Sequence, residues 1–295
     1  MLQKNNRFVL SFILPSLLLY CTFFIYPFLR AFYISLFRWR GIAADQMRFV
    51  GLDNFVRLFN DSVVYRSLLN NLVILVFGSI IIFTLSLLFS AVLARKNYRE
   101  REFYRIVFFF PNTLSVVVVA LIWRFVYNPS FGLLNEFLRA VGQGGLARAW
   151  LGTDATVMPA IVVSQAWMVI GFYMVLFLAT MQNVPEDYYD AARIDGAGEF
   201  AQFLHVTVPL IWEVMRIALV FFVINAFRRS FPLVLVMTGG GPSRASEVLA
   251  TYLYEQAFAH SNYGYGSAIG VFLFFVTFVL SAVVFFGTKR ETYEY

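Results

Sequence analysis

Residues 183–209 read Asn183-Val-Pro-Glu-Asp-Tyr-Tyr-Asp190-Ala-Ala-Arg-Ile-Asp195-Gly196-Ala-Gly198-Glu-Phe-Ala-Gln-Phe-Leu-His205-Val-Thr-Val-Pro209. This is a polar stretch between two long apolar runs. A mere link between two spans needs only a few residues, whereas this one has about 27. Asn183 followed three residues later by Glu186 fits a capping box. Pro185 is tolerated in a first helical turn, and Glu186 and Asp187 stand where the helix dipole favours negative charge. The spacing predicts a helix from near 184. Gly196 and Gly198 should break it, because glycine enters positive φ without a steric cost. A second helix is expected from about 199 to 206, ending at Pro209 as the opening of the next apolar run. Two readings of this helix–turn–helix stand on physics alone. It is a surface hairpin without a role, or its adjacent alanines let it dock closely in a partner's groove.

Outward from this stretch the chain is apolar. Hydrophobic residues are 60% of the 295, and charged residues 14%; soluble domains run nearer 45–50% and about 25%. Six segments are long enough to span a bilayer at roughly 20 residues each, at approximately 8–29, 72–94, 106–125, 158–181, 209–230 and 267–287. The fold class expected is an all-α integral membrane protein with six transmembrane helices. Residues 1–71 form an N-terminal helix plus external loop, and residues 72–295 a five-helix core with the polar loop 182–208. Pro15, Pro27 and Pro111 fall in or at the ends of spans, where kinks are tolerated. The first run is too long for a cleaved signal, and no small-residue site follows it, so it is read as an uncleaved helix. The single cysteine, Cys21, leaves the redox compartment unread.

Basic residues set orientation. With the N-terminus inside, Lys4, Arg7, Arg95, Lys96, Arg99, Arg101, Arg105, Arg193, Lys289 and Arg290 fall on the inner side, all three lysines among them, while the outer side holds about as many arginines over about twice the length. Both termini and the 182–208 loop are therefore expected in the cytoplasm. The net charge of +6 is scattered between apolar runs, which is not a nucleic-acid pattern. The outer loop 30–71 has apolar positions Phe49, Val50, Leu52, Phe55, Leu58 and Phe59, expected on short amphipathic helices at the membrane surface. The outer loop 126–157 carries the turn signals Asn128-Pro129, Gly142, Gly144 and Gly145.

At this point the residues meet a known pattern. Asp190-Ala191-Ala192, three residues, Gly196, nine residues, Val206-Thr207-Val208-Pro209 resembles the cytoplasmic loop of ABC importer permeases. That pattern is Glu-Ala-Ala, three residues, Gly, nine residues, Ile, one residue, Leu-Pro. Asp stands for Glu, and Val for both Ile and Leu. Arg193-Ile-Asp-Gly-Ala-Gly198, Phe49-Val-Gly-Leu-Asp-Asn-Phe55, Asn128-Pro-Ser-Phe-Gly-Leu-Leu-Asn135, Gly171-Phe-Tyr173 and Met237-Thr-Gly-Gly-Gly-Pro242 are similar to the subfamily that imports oligosaccharides and glycerol phosphate. The chain resembles the first of the two permeases in such systems, without the extra N-terminal spans and large external domain of the maltose permease.

The resemblance implies a maltose-permease-like fold with a cytoplasmic coupling helix, in the bacterial cytoplasmic membrane. It implies a heterodimer with a second permease, two ATPase subunits and an extracytoplasmic sugar-binding protein. ATPase coupling is carried over to Asp190, Ala191, Ala192 and Gly196, with Glu186, Asp187, Tyr188 and Arg193 as interface neighbours. No Gly-x-x-x-x-Gly-Lys-Ser/Thr loop occurs. ATP and Mg are accordingly expected on the partner ATPases, no cofactor on this chain, and no enzyme activity of its own. His205 and His260 fall on opposite sides of the membrane and no His/Cys cluster exists, so no metal or catalytic site is expected.

The substrate pathway has two candidate stretches. In the fifth span, Asn225, Arg228, Arg229 and Ser230 interrupt a run that is otherwise almost wholly apolar from Ile217 to Met237. Arg228 lies ~29 Å along a helix that begins near Pro209, within snorkelling reach of the outer headgroups. Alternatively one arginine faces the pathway and holds a carboxylate or phosphate. The sugar contacts of the maltose permease align here with about Val223, Phe227 and Ser230, two of them apolar, so its specificity does not transfer; an anionic saccharide or sugar phosphate is the expectation. In the fourth span, Ser164, Gln165, Trp167 and Tyr173 offer hydrogen bonds and stacking faces, or pack between helices. Glu213 and Arg216 are read as an intrahelical pair. Two rivals remain: an importer permease for a non-sugar solute, and a secondary transporter, which would show two similar halves and midplane acids.

Overall fold

The computed structural model describes residues 6–41, 47–95 and 100–290. Lys4, Lys96 and Arg99, part of the sidedness argument, lie outside the described residues. The first span joins α1 (Asn6–Tyr20) through a wide turn at Cys21–Ile25 to α2 (Tyr26–Ser35). β1 (Phe37–Arg38) pairs antiparallel with β2 (Arg48–Phe49), with Phe37 opposite Phe49 and Arg38 opposite Arg48. Then come α3 (Asp53–Phe59), α4 (Ser62–Arg95), α5 (Arg101–Thr113), α6 (Val116–Val126), α7 (Leu133–Ala140) and α8 (Asp154–Gln182). The polar stretch holds α9 (Glu186–Ile194), α10 (Glu199–Gln202) and α11 (Val208–Leu210). The chain ends with α12 (Trp212–Met237), α13 (Leu249–Tyr254) and α14 (Tyr263–Gly287).

Among the described residues, five helices are each long and apolar enough to cross a membrane, at Ser11–Ser35, Ser62–Ala94, Asp154–Gln182, Trp212–Met237 and Tyr263–Gly287. The sixth expected span, 106–125, is not one rod. α5 and α6 meet at a bend of 100° and are long and apolar enough to cross a membrane only as a pair. Pro111 has no N–H to donate, Thr113 turns its hydroxyl back onto the Phe110 carbonyl at 2.7 Å, and Leu114 and Ser115 are extended. The α helix therefore stops within a few residues of the proline and restarts at Val116.

The loop expected over 30–71 is shorter than the sequence suggests. α2 reaches Ser35 and α4 begins at Ser62. The polar residues Ser67, Asn70 and Asn71 look like loop, yet they are buried within α4. Asn70 donates to the Glu247 carbonyl (2.8 Å), and Asn71 accepts from the Leu249 N–H (3.0 Å). Their polarity serves tertiary bonds that composition cannot reveal. Of the short helices expected here, α3 forms and carries Phe55, Leu58 and Phe59, with Leu58 fully buried; Phe49 lies instead in β2, and the β1–β2 pair was not foreseen.

The chain divides into two compact units. One holds the residues up to Val64 with Tyr252–Phe275. Phe28 and Phe32 pack edge-on against Phe274. Buried Asn54 donates to the carbonyls of Ser35 (2.8 Å) and Phe37 (3.0 Å), fastening α3 to the end of α2. Asp61 accepts from the hydroxyls of Tyr252 (2.6 Å) and Tyr265 (2.7 Å). Burial alone would raise this carboxyl. Those two hydrogen bonds, the Val63 N–H and the Arg57 charge outweigh burial and hold it below the ordinary carboxylate value.

The other unit holds Tyr65–Thr251 and residues from Val276 onward. α8 is its axis. Sixteen residues of α8 are buried, against α5, α6 and α12. The tightest approach is at Gly171, where an added Cβ would overlap the Phe108 carbonyl of α5; only glycine lets the two backbones meet. Tyr127 donates to the Ala160 carbonyl (3.2 Å) and Ser86 to that of Ile170 (2.9 Å). Trp212 donates to the Thr288 carbonyl (2.9 Å), and the guanidinium of Arg290 lies 4.3 Å from the Trp212 ring centre.

Candidate coupling segment and translocation face

Local rules build the coupling segment. α8 continues to Gln182, so Asn183 has helical backbone and closes that helix, its N–H on the Thr180 carbonyl (3.1 Å). The expected capping box is therefore absent. Pro185 is the N-cap, with no side-chain cap bond. Val184, buried, pins the turn. α9 then runs to a left-handed Gly196 (φ +80°). The Gly196 N–H bonds Arg193 O (3.0 Å) and the Ala197 N–H bonds Ala192 O (2.9 Å), a Schellman ending. Gly198 instead has extended backbone and caps α10, a conformation open to other residues.

The second helix expected over 199–206 forms and runs on to Leu210, with α10 passing through a π-helical turn at Phe203–Thr207 directly into α11. Pro209 lies inside α11, and fully buried Ile211 leaves helical geometry before α12 starts. The fifth span thus begins at Trp212 rather than at Pro209.

α9 has no buried residue. Glu186, Asp187, Tyr188, Asp190, Ala191, Arg193 and Gly196 are exposed, and Ala192 half-buried. Arg193 bridges Asp190 (3.1 Å) and Glu186 (3.3 Å) on the helix surface. Tyr189 meets Thr207 through their hydroxyls at 3.0 Å, tying α9 to the turn before α11. Beside it lies a cavity of about 520 Å³, lined among others by Arg101, Gln182, Glu186, Tyr189, Arg193 and Glu199.

The pathway candidates separate by burial. Ser164, Gln165, Tyr173, Asn225 and Ser230 are buried inside the chain. Ser164 and Ser230 each bond a carbonyl of their own helix at 2.8 Å. Tyr173 packs among Phe83, Phe177 and Phe222. Val223 and Phe227 are also core. Trp167 is 37% exposed and edge-on to Trp123. Arg228 is exposed and donates to Asn225 (2.9 Å), whose own amide donates to the Phe221 carbonyl (2.8 Å). Arg229 is half-buried, within electrostatic reach of Tyr173. With α12 running to Met237, Arg228 stands ~14 Å before its end at 1.5 Å per residue, deeper than a span ending at 230 implies. It completes an exposed stripe with Ile217, Phe221 and Ile224, and the Phe221 ring lies 5.9 Å from that of Phe172 on α8. Glu213 and Arg216 form the expected i,i+3 pair.

Residues 86–290 match the family model for the inner membrane component of binding-protein-dependent transport systems. The chain belongs to this permease family. The permease is 38% identical to the probable ABC transporter permease protein YurN of Bacillus subtilis, over 99% of this chain and 100% of the relative. It is 34% identical to the diacetylchitobiose uptake system permease protein NgcF of Streptomyces coelicolor, over 94% and 81%. In fold it is similar to a chain of the bacterial ABC transporter that imports the acidic polysaccharide alginate, with a TM-score of 0.84, 20% identity and 98% of each chain covered.

Sequence reasoning about the permease missed two features of the coupling segment. The Tyr189–Thr207 bond spans 18 positions, and only the motif spacing between α9 and Pro209 hinted that the two ends meet. Arg101 was read for sidedness alone, yet it lines the cavity beside α9.

Proposed function

We propose that this permease is one of two different membrane subunits of an ATP-driven carbohydrate importer, set in the bacterial cytoplasmic membrane with both termini in the cytoplasm. An external binding protein delivers the sugar. Two ATPase subunits, carrying ATP and Mg, bind on the cytoplasmic side, and α9 seats in a groove of one of them. The observation that carries the coupling role is a helix with no buried residue, held in a fixed shape by its glycine ending. Beyond its tie through Tyr189 to Thr207, such a helix gains its packing from another subunit. Closure of the ATPases shifts α9, and the Val184 turn and the Tyr189–Thr207 bond pass the shift to α8 and α12. The uptake of diacetylchitobiose by the system of a 34% identical relative supports an oligosaccharide as cargo.

The exposed stripe of α12 with Trp167 of α8 forms this subunit's wall of the pathway. Arg228, a cation well inside a span, selects for a carboxylate or phosphate on the sugar. The test is ATP hydrolysis by the reconstituted importer with its binding protein, offered neutral oligosaccharides, uronate oligosaccharides and sugar phosphates. Stimulation by an anionic class that Arg228→Ala reduces at least tenfold is expected. Stimulation by neutral sugars alone, unchanged in Arg228→Ala, overturns the arginine's role and leaves the importer reading intact.

A further inference from the structure

A second polar site lies in the other unit, apart from the pathway residues. Arg38 and Arg40 follow the end of α2, Arg57 projects from α3, and Tyr265 opens α14; together with Trp39 they line a cavity of about 330 Å³. The Arg57 guanidinium sits 3.9 Å from the Tyr265 ring centre, and Trp39 packs on Tyr263. Arg38, Arg40 and Arg57 are exposed. Two carboxylates face them. Asp53 lines the cavity, and Asp61, within reach of the Arg57 charge, is occupied by two tyrosine hydroxyls. The balance is cationic, and planar guanidinium forks suit the oxygens of a phosphate.

The surroundings of this cavity are apolar. Leu52, Val56 and Phe59 recur at helical spacing, are 66%, 59% and 56% exposed, and are joined by Phe49 at 65%. All of this gathers at the ends of three apolar spans, at Ser35, Ser62 and Tyr263, the level where a bilayer presents its headgroups. A short helix with an apolar stripe beside a basic cluster is the arrangement of a membrane-surface lipid contact. We propose that the Arg38–Arg40–Arg57 cavity holds the phosphate of an anionic phospholipid whose acyl chains lie along the Leu52–Val56–Phe59 stripe.

The assembled importer in detergent is titrated with phosphatidylglycerol, with phosphatidylethanolamine of the same chains and with inorganic phosphate. Retained lipid is read by native mass spectrometry, and thermal midpoint by light scattering. Phosphatidylglycerol should be retained on the order of tenfold better than phosphatidylethanolamine. The double variant Arg38→Gln with Arg40→Gln should lose that preference, and Val56→Asn with Phe59→Asn should weaken both lipids alike. If the double variant does not assemble, Arg40→Gln alone should narrow the preference about threefold. Equal retention of the two lipids by the unaltered protein, or a preference that survives the arginine variants, overturns the proposal. Displacement of phosphatidylglycerol by equimolar inorganic phosphate would make this a free-anion site. Displacement by the binding protein would assign the arginines to that protein.

Discussion

α8 and α9 are separated by three residues and have opposite physical characters. α8 buries sixteen side chains, and its place is dictated by neighbours on three sides. α9 buries none, and its shape is dictated by a proline at one end and a glycine at the other. The difference teaches that two neighbouring helices can owe their shapes to different causes. Packing against α5, α6 and α12 holds α8, and local backbone rules at Pro185 and Gly196 shape α9.

Four substitutions break or sharpen that contrast. The largest effect is expected at Gly171→Leu. The new side chain has no room against the Phe108 carbonyl, so α5 and α8 must separate at a cost of about 3 kcal/mol or more. The yield of assembled complex and its thermal midpoint should both fall; an unchanged midpoint would refute the close approach. Next is Gly196→Leu. A left-handed leucine costs about 1–2 kcal/mol, but open space surrounds the position, so the chain should still insert. Stimulated ATP hydrolysis and transport should be lost together, through a misdirected α9, and normal transport would sink the coupling role. Third, Tyr189→Phe removes the bond to Thr207, worth about 1 kcal/mol. ATP hydrolysis should persist while transport per ATP drops severalfold. Smallest is Arg193→Gln. Its two ion pairs are solvent-exposed, and such pairs contribute about 0–1 kcal/mol. Stability should hardly change, so any larger loss of ATPase binding would locate Arg193 at the subunit interface itself.

The same contrast explains what the sequence could and could not reveal. The spans were legible because apolar runs near 20 residues have few other uses. The α9 region was legible because glycine at a left-handed turn is a local requirement, and Gly196 meets it. Boundaries that depend on tertiary partners were not. Asn70 and Asn71 read as loop until the Glu247 carbonyl and the Leu249 N–H are seen waiting for them. Asn183 read as a cap until α8 proved to reach it. The bend between α5 and α6 was announced by Pro111 in position but not in size. For the pathway, residue type suggested Ser164, Gln165 and Tyr173, all of them buried; facing is a property of the packed helix and not of the residue.

The first span carries one further consequence. Ser11–Tyr20 are exposed throughout, and none of the span's most apolar window is buried, against 67% for α8. During synthesis, a stretch such as Ser11–Tyr20, which no later helix covers, can settle in the bilayer as soon as it leaves the ribosome. α8, with Ser164 and Gln165 awaiting cover, gains its full stability only after α12 has been made. The order of emergence along the chain therefore puts an exposed apolar stretch ahead of the interdependent helices, which follow into a membrane that already holds part of the chain.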